Sequence, residues 1–328
     1  MKILIISGFL GAGKTTFIKE MAKKTNRDFV VMENEYGEIP IDGGLLGQEQ
    51  LNIWELTEGC ICCSTKSDFA SSVLTIANTL DPDYLIVEPT GVGVLSNVIR
   101  NIQQIAYERI SLLSPVTIVD AYTYDRCMAE YGEIFEDQIR CAGTIVISKN
   151  PWTSPGDAAP LVGRLRELNS GAEILSTHYS LQDPDWWELL LRRDFSGAIL
   201  PPQREEAADL DNLGLSGTAL PGSSHLIVFL EDLIRGEYGD ICRAKGVIRA
   251  GGCFLKFDVV GERYSITGFS GGMDARSVFI GRDLKKNRLR KLLLPGFVPK
   301  PGPMRPQSPS RAVSRGKRAA SDLICNDF

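Results

Sequence analysis

The chain has 328 residues, 43% of them hydrophobic, and a formal net charge of −5. It exceeds one typical domain, so two are expected, each with a real core, and the charge argues against a globally basic nucleic-acid binder. Eight cysteines are scattered without a disulfide framework, as in a reducing compartment, and no apolar run is long enough for a membrane span or a signal segment. A cytoplasmic protein with neither nucleic-acid nor membrane partners is the expectation.

In chain order, Lys2 to Ile6 is a short Ile-rich run that fits a buried parallel strand. Thr15 to Lys24 follows with Phe17, Ile18, Met21 and Ala22 at helical spacing. Between them lies Gly8-Phe9-Leu10-Gly11-Ala12-Gly13-Lys14-Thr15-Thr16, which reads as a phosphate-binding loop. Gly8, Gly11 and Gly13 let backbone N–H groups turn inward around an anion. Lys14 supplies a charge for the β- and γ-phosphates, Thr15 a hydroxyl for Mg²⁺, and the new helix its positive end. Ala12 and Thr16 complete the cradle.

Further strands are expected at Phe29 to Met32, Leu51 to Leu56, Tyr84 to Val87, Val116 to Val119 and Thr144 to Ile147. Helices are expected at Ser67 to Leu80 and Val94 to Ile105. The alternation implies an α/β fold: a phosphate-loop NTPase with a mostly parallel sheet and helices on both faces. Pro151 to Pro160 reads as a turn-rich insert, with helices at Leu161 to Leu168 and Pro184 to Leu191. The first domain is set at residues 1–200 and a polar linker at 201–224. A small α+β domain follows at 225–294, with a helix near Leu226 to Arg235, strands near Gly246 to Val260 and Tyr264 to Thr267, and a last helix near Leu284 to Leu294. Residues 295–328 read as a disordered basic tail.

Several strand ends carry candidate chemistry. Glu88, in Val87-Glu88-Pro89-Thr90-Gly91, stands where an acid commonly faces the Mg²⁺ of a phosphate-loop enzyme, and Gly91 lets a backbone N–H approach the γ-phosphate. Lys14 and Glu88 are the catalytic candidates. Ser148-Lys149-Asn150-Pro151 occupies the place of a guanine-reading loop. Ser148 and Lys149 are assigned to the base, but Pro151 replaces the aspartate that would accept from guanine N1 and N2. Gly59-Cys60-Ile61-Cys62-Cys63 reads as a thiolate site for a soft or borderline metal. Glu33 and Glu38 follow the second strand, and a carboxylate there could complete the shell. Gly8, Glu33, Cys60 and Glu88 all lie just past strand ends, where ligands of open α/β sheets gather.

These residues resemble the CobW-like metallochaperone GTPases, relatives of the UreG and HypB nickel-insertion proteins. The match covers Gly8 to Thr16, Glu33-Asn34-Glu35-Tyr36-Gly37-Glu38, Ile41-Asp42, Gly59 to Cys63 and Glu88 to Gly91. It continues through Asp120-Ala121, Asp137-Gln138, Arg243-Ala244-Lys245-Gly246 and Val278-Phe279-Ile280-Gly281-Arg282. The resemblance implies hydrolysis of GTP to GDP and phosphate, coupled to delivery of Zn²⁺, Co²⁺ or another divalent ion to a client metalloprotein or cofactor-assembly protein. It implies metal ligands at Cys62 and Cys63, with Cys60, Glu33 and Glu38 as candidates, and allows a nucleotide-dependent homodimer. Two other readings remain. A phosphate-loop small-molecule kinase would need an acceptor site, for which the sequence shows no clear candidate. A non-catalytic switch would bind nucleotide and a partner without turnover.

Overall fold

The computed structural model describes residues 1–33, 51–55, 66–106, 109–150, 155–197, 210–269 and 275–297. Among them the first sheet has eight strands. These are β1 (Lys2–Gly8), β2 (Phe29–Glu33), β3 (Leu51–Glu55), β4 (Tyr84–Glu88), β5 (Ser111–Leu112), β6 (Val116–Asp120), β7 (Thr144–Ser148) and β8 (Glu173–Leu175). Their order is β3-β2-β4-β1-β6-β7-β8, with β5 on β1, and every pairing is parallel. Parallel pairing requires crossovers, and helices supply them. They are α1 (Lys14–Thr25), α2 (Lys66–Thr79), α3 (Leu95–Ile105), α4 (Tyr124–Arg140), α5 (Ala159–Leu168) and α6 (Pro184–Leu190).

Both faces of this sheet are buried, which is why its strands read as continuous apolar runs. On β1, Leu4 and Ile6 pack with Phe17 of α1 and Trp187 of α6. Ile3 and Ile5 point the other way, toward Val73 of α2 and Val98 of α3. The α1 face predicted from Phe17, Ile18, Met21 and Ala22 is the face that is buried. Asn26, at φ 49°, ends that helix in the left-handed conformation that Asn tolerates.

Sequence periodicity missed α4, the longest helix described. Its apolar stripe (Tyr124, Cys127, Tyr131, Ile134, Phe135, Ile139) has helical spacing, but the charged residues and Gly132 between dilute it. The stretch expected as a linker also holds structure. Asp211–Ser216 forms β9, an edge strand paired antiparallel to β14 (Arg276–Arg282). Between them in the chain come β10 (Ala219–Leu220), α7 (Ser223–Ile234), β11 (Asp240–Ala250), β12 (Cys253–Val260) and β13 (Arg263–Gly268); α8 (Lys286–Leu293) follows. The second sheet runs β13-β12-β11-β14-β9, antiparallel throughout, with β10 added parallel to β11.

The second sheet packs one face on α7 and α8 through Ala244, Ile248, Phe257, Val259 and Phe279. Its other face meets the first domain. Cys242, Val278 and Ile280 join Phe9, Tyr131 and Phe135 in one cluster. Polar contacts line the same seam: Arg282 donates to the Glu130 carbonyl at 2.9 Å and lies over the Tyr131 ring, and Arg126 is 3.6 Å from Asp240. No described helix is long and apolar enough to cross a membrane.

Candidate functional site

The loop after β1 enters α1 through Gly13, whose φ of 103° is a left-handed conformation that glycine adopts without steric cost. Lys14 folds back over the loop. Its ammonium is buried, donates to the Gly8 carbonyl at 3.1 Å and sits 3.9 Å from Glu88. Thr15 Oγ1 lies 3.4 and 3.3 Å from the two Glu88 carboxylate oxygens. A hydroxyl and a carboxylate converging at the head of α1 form an all-oxygen donor set, the chemistry a hard divalent cation takes. The residues therefore fit Mg²⁺, which Thr15 and Glu88 would hold.

Beyond Glu88 the chain returns across the loop. A Cβ at Gly91 would stand 2.4 Å from the Leu10 nitrogen, so only glycine permits this approach. The close passage is pinned from α4. Gln138 is fully buried, and its amide donates to the Gly91 and Gly93 carbonyls at 3.1 and 3.0 Å. Its neighbour Asp137 accepts from the Ser96 N–H at 3.0 Å, at the head of α3.

Ser148 and Lys149 approach the same loop from β7. Ser148 Oγ donates to the Ala12 carbonyl at 2.7 Å. Lys149, held at φ 50°, donates to the Gly11 carbonyl at 2.7 Å and pairs with the buried Asp120 at 3.1 Å. Both thus brace the phosphate loop. Asn150 turns to the Ser176 carbonyl at 2.8 Å. Pro151 lies outside the described residues.

Glu33 ends β2 in register with Glu88 of β4, and it is buried. Gly8, Glu33 and Glu88 therefore share the carboxyl edge of three neighbouring strands. Cys60, Cys62, Cys63 and Glu38 lie outside the described residues. Of the other described cysteines, Cys127 and Cys242 are buried, Cys141 is half-buried and Cys253 is exposed. Burial pushes the thiols of Cys127 and Cys242 up to about 11 and that of Cys141 up to about 12.

A cavity of about 510 Å³ opens over the loop, lined from the first domain by Lys14, Thr15, Thr16, Glu33, Glu88 and Gly91. Its roof was not foreseen from sequence. Arg243, Lys245, Lys256, Asp258 and Arg263 project into it from the second sheet. They lie on three strands, so no contiguous motif announces them. The one local signal was the Arg243-Ala244-Lys245 alternation.

A parallel sheet with a loop of this geometry at the carboxyl end of β1 defines a phosphate-loop nucleotide-binding fold. The chain belongs to the CobW family. The model described as "CobW/HypB/UreG, nucleotide-binding domain" matches residues 2–176, and that of the "Cobalamin synthesis protein cobW C-terminal domain" matches residues 223–295. Among curated relatives, the zinc chaperone YjiA of Escherichia coli is 31% identical over 185 residues, 54% of this chain and 57% of that protein. The zinc chaperone YeiR of the same organism is 34% identical over 154 residues, 46% of this chain and 47% of that one. The chain thus spans about half the length of the curated relatives it matches. The crystal structure of Zn(II)-bound YjiA GTPase from E. coli aligns over 89% of this chain and 97% of that one, at 22% identity and a TM-score of 0.44.

Proposed function

We propose that this protein is a GTP-hydrolysing metallochaperone. In this reading it takes a divalent transition metal, Zn²⁺ or Co²⁺, at Cys60, Cys62 and Cys63 with Glu33 and Glu38. It delivers that metal to a client metalloprotein or cofactor-assembly protein. The nucleotide domain is residues 1–200, and the C-terminal domain, expected at 225–294, also takes in β9 and β10 from Asp211 onward. The observation that carries the reading is the register of Glu33 with Glu88. Glu33, a candidate metal ligand, ends the strand beside the one that bears the Mg²⁺ acid, and the strand that precedes Cys60, β3, pairs with β2 on its other side, so a phosphate-dependent shift at Glu88 would reach the metal ligands through β2.

In this reading each residue of the site has a role. Lys14 and the loop amides hold the β- and γ-phosphates and neutralise charge as the terminal phosphate leaves. Thr15 and Glu88 would hold Mg²⁺, which would offset the charge of the phosphates. Gly91 brings a backbone N–H toward the terminal phosphate, and Gln138 keeps it there. Ser148 and Lys149 fix the loop beneath the nucleotide. The zinc-chaperone names of YjiA and YeiR support the cargo class.

The decisive experiment titrates Zn²⁺ and Co²⁺ into the protein in the apo, GDP-bound and non-hydrolysable-triphosphate states. The metal affinity should differ between nucleotide states by about tenfold, equivalent to about 1.4 kcal/mol of coupling. Triphosphate affinity must change with metal by the same factor. Cys62→Ala with Cys63→Ala should abolish tight metal binding and leave nucleotide binding intact. Equal metal affinity in all three states would reject nucleotide-gated delivery.

A further inference from the structure

The roof of the cavity is more than a lid. On β11, regular alternation would send Ile241 and Arg243 to one face. The register shifts between these two residues against β14. A bulge of this kind re-aims the side chains that follow it. Ile241 and Ala244, three apart, both reach the core under α7, while Cys242 packs on the first domain. Arg243 and Lys245 are thereby turned into the cavity.

Arg243 reaches the loop itself. A Cβ at Gly11, where φ is 75°, would lie 2.7 Å from an Arg243 terminal nitrogen and 2.6 Å from Val260 Cγ2. The missing side chain at Gly11 leaves the room that the second sheet fills. The guanidinium is steered by Asp258 on β12 at 3.1 Å, and the Arg243 side chain is 15% exposed. Lys245, two residues on, is buried. Arg263 is anchored over the Tyr122 ring at 3.9 Å, just past Asp120. Seven lysines and arginines and four carboxylates line the cavity, four of those cations from the second sheet. That excess suits a polyphosphate, and burial limits its screening.

From this geometry we infer that Arg243 is a cis-acting phosphate ligand. The second domain presents its guanidinium to the β- and γ-phosphates at the tip of the loop, exchanging Asp258 for phosphate when triphosphate binds. The inference rests on the nucleotide reading above and deepens it. A guanidinium fork matches phosphate oxygens in a bidentate way that an ammonium does not. Because the ligand belongs to the second domain, loss of the terminal phosphate changes what holds that domain to the first. The C-terminal domain thus senses nucleotide state directly.

The test uses the full chain with Mg²⁺, and compares binding of a non-hydrolysable GTP analogue with binding of GDP by calorimetry. Phosphate release is followed alongside. Arg243→Gln should weaken the triphosphate analogue about tenfold more than GDP and slow phosphate release on the order of a hundredfold. Arg243→Lys should recover part of the affinity and little of the rate. Asp258→Asn separates the idea from a purely structural ion pair. It frees the guanidinium and removes a negative charge, so triphosphate affinity should rise several-fold. A fall parallel to that of Arg243→Gln would mean that the pair merely holds the seam, and would overturn the inference. Lys14→Ala distinguishes the two levels of the argument. If it abolishes GTP binding while Arg243→Gln leaves the triphosphate-to-diphosphate ratio unchanged, the inference fails alone. If Lys14→Ala leaves GTP binding intact, the nucleotide reading fails and the inference with it.

Discussion

The two sheets of this molecule use their surfaces in opposite ways. The parallel sheet is buried on both faces, so its chemistry sits on an edge, at Gly8, Glu33 and Glu88, where strands end. The antiparallel sheet buries one face on α7 and α8, and its chemistry sits on the other face, at Arg243, Lys245, Lys256 and Asp258. An edge is built from short contiguous runs, so its residues form motifs. A face is built from alternate residues of several strands, so its residues are dispersed through the sequence. The lesson is that a site shared by an edge and a face shows only half of itself to motif reading.

The largest effect should come from the core that holds the face in shape. Phe279 is fully buried against Phe229 and Phe257. Phe279→Ala should cost about 3–5 kcal/mol, read as a lower-temperature transition for the second sheet in thermal denaturation. If the roof contributes to the site, triphosphate affinity should fall with it at temperatures above that transition. Unchanged affinity there would leave the edge sufficient by itself.

Lys14→Ala probes the edge. Removing a buried ammonium that faces phosphate should cost about 2–5 kcal/mol of triphosphate affinity, with little change in melting temperature. Calorimetry giving wild-type affinity would remove the loop from the site.

Gly91→Ala sharpens the comparison at the point where backbone meets backbone. The added methyl has the Leu10 nitrogen at 2.4 Å and Leu10 Cα at 2.8 Å, neither of which can rotate away. We expect a loss of about 1–3 kcal/mol in stability together with weaker triphosphate binding. A variant as stable and as tight-binding as the parent would mean the loop yields without consequence.

The smallest effect belongs to a surface pair far from the cavity. Arg27 holds Glu188 through two bonds of 2.9 Å, and that hydrogen bond lowers the Glu188 carboxyl below its ordinary range. Both side chains are partly exposed, so Glu188→Gln should cost only about 0.5–1 kcal/mol. A depressed carboxyl stabilises the fold above its unfolded value of about 4.3 and loses that contribution as pH falls through the folded one. The difference between parent and variant should therefore be full at neutral pH and vanish in acid. A difference that persists in acid would assign it to packing.

The sequence by itself determined the parallel sheet, the phosphate loop and the placement of Glu33 and Glu88 at strand ends. Each depends on short-range rules: apolar runs for strands buried on both faces, glycine where the backbone must turn inward, and a charged residue where a strand stops. It also marked Arg243-Ala244-Lys245 without saying where those side chains point. Tertiary structure alone decided three things. Helix α4 emerged because packing of Tyr131 and Phe135 outweighs a diluted stripe. The strand Asp211–Ser216 formed because β14 offered it an edge to pair with. Arg243 reached Gly11 because a bulge in β11 reversed the alternation, and a one-residue shift in register is invisible until the partner strand is in place.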